Sequence, residues 1–273
     1  MTSTIDDAPV LRTDGVHLVR DGRAILSDID IRVERGQHWV LLGANGAGKS
    51  TLLGLLGAVT HPTRGTVHVL GHRLGRVDMR ELRAHIGHVN PRHAIDRPLT
   101  VRDVVLTGLT NTPEFVQRWQ PSDTDRARAA ELIAMMGMSS RIDARWPVLS
   151  QGERGRALIA RALMPQPPVL LLDEPATGLD LAAREQLLTA LDDMRAQHPE
   201  MASILVTHHI EEIPTTTTHA VLLRDGRVTA QGRAVEVITT ERITECFDHP
   251  IDIVCHGGRY AARSRPAPTN PEV

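Results

Sequence analysis

Nine consecutive residues, Gly43-Ala44-Asn45-Gly46-Ala47-Gly48-Lys49-Ser50-Thr51, are of the types that bind phosphate. Glycines let neighbouring backbone N–H groups turn toward one anion without a Cβ in the way. A helix starting at the end of the run would add the positive end of its dipole. The match is to GxxxxGK[ST], the P-loop. In that motif Lys49 would reach the β- and γ-phosphates of a nucleotide, and the Ser50 hydroxyl would take Mg²⁺. The candidate nucleotide-binding residues are therefore Gly43, Asn45, Gly46, Ala47, Gly48, Lys49, Ser50 and Thr51. Lys49 is also the only lysine among the 31 lysine and arginine residues. Ammonium and guanidinium are not interchangeable, so its placement is itself a signal. The plain alternative is a glycine-rich turn with a surface lysine.

Two further groups could complete such a site. Val169-Leu170-Leu171-Leu172-Asp173-Glu174 is an apolar run ending in two acids. Asp173 could hold the Mg²⁺ shell beside the loop. Glu174 is the candidate base that orients and polarises an attacking water. Alone, such a run is only a solvated strand end; downstream of a phosphate loop, the chemical reading takes precedence. Ser150-Gln151-Gly152-Glu153 has the spacing of a capping box, and the helix N-terminus it announces could receive an anion. An ordinary capped helix is the equal alternative.

These residues need elements to position them. Residues 10–33 read as strands turning at Asp21-Gly22, and QHWVLLG as a short apolar strand leading into the loop. Thr51 to Gly57 reads as the helix after it. GTVHVLG is another strand, and residues 78–85 are helical in pattern. Helical character dominates from about 95 to 165: Leu99 to Leu109, then Ser122 or Asp123 to Met136 with Gly137 as the stop, then Ser150 to Met164. PVLLLDEP and SILVTHH are continuous apolar runs, as in parallel strands buried on both faces. Asp180 caps a helix to about Gln197. HAVLLRDGRVTAQG is a hairpin at Asp225-Gly226. Two short helices and a small strand pair near 251–254 and 259–262 follow.

Composition bounds the class. The chain has 273 residues, 41% hydrophobic and 23% charged, with a formal charge of −2. That is globular usage, with no basic excess to suggest nucleic acid. Aromatics are only 2%, so stacking platforms for bases are scarce. No window approaches 18 apolar residues, and Met1 to Pro9 has no signal-peptide pattern. Cys246 and Cys255 read as unpaired thiols of a reducing compartment. His85, His88 and His93 lie close in sequence, but without Cys or carboxylate in ligand spacing they read as ordinary histidines.

LSQGE (149–153), taken with GANGAGKST, VLLLDEP, Gly178-Leu179-Asp180 and ILVTHH, resembles the nucleotide-binding domain of ABC-type ATPases over about residues 10–240. The resemblance implies a P-loop α/β fold with an antiparallel β subdomain and an inserted helical subdomain at about 90–160. It implies a head-to-tail dimer of two copies around two ATP molecules with Mg²⁺. Ser150 and Gly152 of one copy would meet the γ-phosphate held by the other. Asp180 matches the D-loop aspartate, and His208 the switch histidine that contacts the γ-phosphate. His209 reads as a packing or surface residue. Phrases such as TVRDVVLTG and THHIEEIPTTTTH are similar to the ModF-like branch associated with molybdenum uptake.

Two positions depart from the family pattern. Arg20 stands where an aromatic stacks on adenine; a guanidinium can still stack on a base. Pro91, in Ile86-Gly87-His88-Val89-Asn90-Pro91-Arg92, stands where a glutamine contacts Mg²⁺ and couples to the membrane partner.

The expected organisation is a disordered N-terminus (1–9), the ATP-binding domain (10–240), a small extension (241–264) and a disordered tail (265–273). The expected function is ATP hydrolysis driving a separate transmembrane permease from the cytoplasmic face of the cell membrane, with no nucleic acid partner. The alternative is a non-transport, regulatory ABC ATPase acting on soluble partners or nucleic acid. A P-loop kinase or GTPase would require the LSQGE signature, Asp180 and His208 all to be coincidences.

Overall fold

A computed structural model describes residues 8–90, 95, 98–112 and 119–265. In chain order these form β1 (Leu11–Arg20), β2 (Arg23–Val33), β3 (His38–Leu42), α1 (Lys49–Leu56), β4 (Arg64–Val69), β5 (His72–Arg73), α2 (Met79–Arg83) and β6 (Ile86–Val89). Then come α3 (Val101–Leu106), α4 (Asp123–Met135), α5 (Gln151–Leu163), β7 (Val169–Asp173), α6 (Leu181–Gln197) and β8 (Ala202–Thr207). The chain closes with β9 (His219–Arg224), β10 (Arg227–Arg233), α7 (Ala234–Val237), α8 (Thr240–Phe247), β11 (Ile251–His256) and β12 (Arg259–Ser264).

The strands form two main sheets. One is antiparallel, in the order β2-β1-β4-β5. The other runs β10-β9-β3-β8-β7-β6. In it β6, β7, β8, β3 and β9 are parallel and β10 is an antiparallel edge. Every residue of β3 and β8 is buried, which explains their unbroken apolar runs. Both hairpin turns anticipated at Asp-Gly have positive φ at both central residues: Asp21 and Gly22, Asp225 and Gly226. That is the turn whose twist matches flanking strands.

Three apolar clusters hold these layers together. The first lies between the antiparallel sheet, α1 and one face of the parallel sheet, around Leu26, Leu41, Leu52 and Ile204. The second joins α3, α4, α5 and α6 to β7, around Val104, Ile133, Leu158 and Leu191. The third lies beneath β9, α7 and α8, and includes Leu42, Ile210, Ile243 and Tyr260. Leu, Val and Ile fill all three, in keeping with the scarcity of aromatics.

The expected caps are present. Ser122 and Ser150 each accept from the third backbone N–H beyond them, and Asp125 and Glu153 reciprocate, so α4 and α5 begin with capping boxes. Gly137 follows α4 with φ +65°. Arg265, the first residue of the expected tail, instead closes the last hairpin. Its N–H donates to the Pro250 carbonyl at 3.0 Å and its guanidinium pairs with Asp252. Residues 1–7 and 266–273, and with them Pro91 and His93, lie outside the described residues.

Candidate active site

Topology brings the chemical residues together. β8 lies between β3 and β7, and all three are parallel. The loop after β3, the acids ending β7 and the histidine after β8 therefore gather at the carboxyl ends of adjacent strands, where open α/β sheets bind ligands.

The loop from Gly43 to Gly48 is shaped by its glycines. A Cβ at Gly43 would stand 2.2 Å from the Leu223 carbonyl oxygen. Gly48, with φ +104°, caps α1 and would place a Cβ 2.8 Å from a Leu26 methyl. Lys49 is only 5% exposed. Its Nζ donates to the carbonyls of Gly43 at 2.8 Å and Ala44 at 3.0 Å, folded back across its own loop. Burial lowers its pKa, while the charges of Glu174 and Asp173 act the other way.

Ser50 Oγ donates to Asp173 Oδ1 at 3.2 Å. Burial raises the pKa of Asp173, the Ser50 hydrogen bond lowers it, and the neighbouring Glu174 charge raises it again. Glu174 sits in the left-handed region at φ +49°, its N–H donating to the Val206 carbonyl at 3.0 Å. Such a backbone costs on the order of 1 kcal/mol for a side chain of this kind. With it, Glu174 Oε1 stands 3.0 Å from His208 Nδ1.

The His208 turn is held from within. The buried Thr207 hydroxyl pairs with the buried Glu212 carboxylate and accepts the His209 N–H at 3.0 Å. The His209 ring packs 4.1 Å, centroid to centroid, from that of His208. The Thr207–Glu212 pair escaped sequence reasoning, although a hydroxyl and an acid flanking the THHI phrase were its visible signal.

Other predicted residues lie apart from this group. Asp180 caps α6, Oδ1 accepting from Ala183 N–H at 2.8 Å. Ser150 and Gly152 open α5, where a Cβ on Gly152 would stand 3.0 Å from that of Ala183. Thus the signature and the Asp180 helix are packed together. Among the described residues, no hydrogen bond joins Ser150 or Gly152 to the loop. Asn45, Gly46, Ala47 and Thr51 lie on the loop and the first turn of α1. Arg20 ends β1 opposite Arg23 and is exposed, with no hydrogen bond to the loop among the described residues.

A cleft of about 940 Å³ opens beside the edge strand β6, lined by Arg80, Arg83, His88, Asn90, Gly108 and Arg161. His88 Nε2 is buried in it without a hydrogen-bond partner, and burial lowers the pKa of the ring.

The ABC transporter family profile matches residues 26–177, over half of the chain, and spans both the loop and the acid pair. The chain belongs to the ABC transporter ATP-binding family. It is 39% identical to the uncharacterized ABC transporter ATP-binding protein YlmA of Bacillus subtilis, over 94% of this chain and 98% of that one. It is 32% identical to the hemin import ATP-binding protein HmuV of Rhodococcus jostii, over 91% of this chain and 83% of that one. Among solved structures it is similar to the dimeric post-hydrolysis state of the ATP-binding cassette MJ0796 bound to ADP and Pi. There the TM-score is 0.70 at 26% identity, covering 82% of this chain and 98% of that one. This ABC ATPase binds and hydrolyses ATP as the ATP-binding subunit of a transporter. No helix among its described residues is long and apolar enough to cross a membrane.

Proposed function

We propose that this ATPase works as a head-to-tail pair of identical chains, each loop closed by the other copy's signature, and that the pair drives uptake through a separate permease. The observation that carries the reading is the convergence of Lys49, Ser50–Asp173 and Glu174–His208 at three adjacent strand ends, with Ser150 and Gly152 held elsewhere on α5. A loop whose γ-phosphate side lacks the signature is half a site. A second copy supplies the rest.

Within one half-site the roles follow from position. The loop N–H groups and Lys49 take the β- and γ-phosphates, Lys49 exchanging its two carbonyl partners for phosphate oxygens. Ser50 and Asp173 offer a hydroxyl and a carboxylate, the hard oxygen donors Mg²⁺ prefers, and a cation would relieve the buried Asp173 charge. Mg²⁺, when bound, neutralises charge developing on the transferred phosphoryl group. Glu174 orients the attacking water and receives its proton at a carboxylate oxygen. His208 holds that carboxylate through Nδ1, leaving Nε2 free for a γ-phosphate oxygen. Asp180, at the head of α6, carries the state of one half-site toward the other, and Arg20 lies over the adenine end.

The permease docks in the cleft beside β6. A volume of about 940 Å³ takes roughly two turns of helix with side chains. Asn90, which lines that cleft, directly follows β6, the strand beside the one carrying Asp173. Import is the direction named for the hemin relative, and the pair would work at the cytoplasmic face of the membrane. The organisation read from the sequence, with its helical unit at about 90–160 and an extension after 240, fits this division of labour.

The test is the Glu174→Gln protein with ATP, sized in solution and then used to capture partners from native membranes. A doubling of mass that needs ATP, with a polytopic membrane protein recovered in stoichiometric amount, supports the reading. A monomer with ATP bound, or only soluble partners, overturns it.

A further inference from the structure

The chain beyond β10 supplies nothing to the nucleotide site as assigned above, yet it grips that site's supports. Gly257 and Gly258, with φ +56° and +78°, form the tight turn that sets His256 opposite Arg259 in the β11–β12 hairpin. Tyr260, the only tyrosine, is 9% exposed and packs in the third core with Ile210 and Ile213. Anchored there, the next residue back reaches two elements at once. Arg259 Nη2 donates to Glu185 Oε1 at 3.0 Å and to the Glu211 carbonyl at 3.2 Å. From the same strand, the Ala262 N–H donates to Glu211 Oε1 at 3.2 Å.

Both targets lead straight to the site. Glu185 lies in the first half of α6, the helix capped by Asp180. Glu211 lies in the 3₁₀ turn Ile210–Glu212, directly after His208 and His209. Further along α6, Asp192 ties the helix to the segment after that turn, accepting from the N–H and hydroxyl groups of Thr215 and Thr216. The tie through Arg259 is the one nearer Asp180.

We propose that Arg259 is a positioning residue for ATP turnover, and that the C-terminal hairpin is a strap fixing the Asp180 helix and the His208 turn at one spacing. This rests on the roles given above to Asp180 and His208. A stabilising role alone does not account for the contact. Arg259 and Glu185 are 31% and 46% exposed in their side chains, and ion pairs so open to solvent add little to global stability. Spacing is what such a contact supplies, because one guanidinium nitrogen, Nη2, bonds both elements together.

The experiment uses the full chain with Arg259→Ala, Arg259→Lys, Glu185→Gln and the Arg259→Ala/Glu185→Gln double variant. Turnover, KM for ATP and Tm are measured for each. The strap predicts kcat reduced about three- to tenfold in Arg259→Ala. KM should stay within about twofold and Tm within about 2 °C. Arg259→Lys keeps the charge and several donors on one nitrogen but on a differently shaped side chain, and recovers only part of the loss. The double variant is no slower than Arg259→Ala, since both changes cut one tie. An unchanged kcat in Arg259→Ala overturns the strap, as does a double variant slowed by the product of the single effects, or a loss that follows Tm. A wild-type protein with no ATP turnover overturns the assigned roles themselves. Active wild type beside an equally active Arg259→Ala overturns the strap alone.

Discussion

Glu174 and His208 meet across the ends of neighbouring strands, carboxylate oxygen to ring nitrogen at 3.0 Å. The two strand ends bring the pair together. A left-handed backbone at Glu174 and the Thr207–Glu212 lock behind His208 hold its two halves.

Glu174→Gln keeps the shape and a hydrogen-bonding oxygen but loses the carboxylate proposed as the base. Turnover should fall by a factor of about 10²–10⁴, the usual worth of a positioned general base. ATP affinity, measured by equilibrium dialysis, should be unchanged. Residual hydrolysis near the wild-type rate would remove Glu174 from that role.

Lys49→Arg preserves charge and replaces a compact ammonium with a planar fork. The space is closed by two carbonyls at 2.8 and 3.0 Å, and a guanidinium cannot occupy it without moving the loop. Nucleotide affinity should drop at least about tenfold, a loss of about 1.4 kcal/mol. Titration calorimetry with a non-hydrolysed ATP analogue measures it directly.

Thr207→Val tests the lock. It removes the hydroxyl and leaves the buried Glu212 carboxylate short of a partner, at a cost of about 1–3 kcal/mol. Thr207→Ser should retain most of the stability. Chemical denaturation of both variants at one pH gives the comparison.

Acid sensitivity should trace in part to His38. Burial first, and then the Arg195 charge, lower its pKa to about 4 from 6.5. Its Nδ1 lies 3.0 Å from Ser203 Oγ. Between those two values the unfolded chain takes up a proton that the folded chain refuses. Stability is therefore lost as pH falls from 6.5 toward 4, by up to on the order of 3 kcal/mol. His38→Asn should flatten that part of the curve of unfolding free energy against pH. An unchanged slope would place the acid sensitivity elsewhere.

Much of this site was legible in the chain because its chemistry is local. The loop, the acid pair and the capping box each lie within nine residues, and each element they announced is present at its place. Parallel strands buried on both faces announced themselves as apolar runs. The contacts that escaped were of two other kinds. Lys49 bonding its own loop is a matter of backbone direction, which residue types do not encode. Arg259 reaching Glu185 and Glu211 is a meeting of residues far apart in the chain. Nothing in GGRYAARS marks that arginine out from the others. Pro91 was read as a departure from the family pattern, and it lies outside the described residues.

A chain with one lysine has one side-chain amine, and here that amine sits inside the phosphate loop. Amine-directed reagents therefore have a single internal address, and under the proposed function it is the residue whose surroundings change when nucleotide arrives. The same scarcity turns the protein into its own reporter. An isotope or fluorine tag introduced on lysine would give one resonance, free of overlap, for the loop empty, charged with ATP and spent.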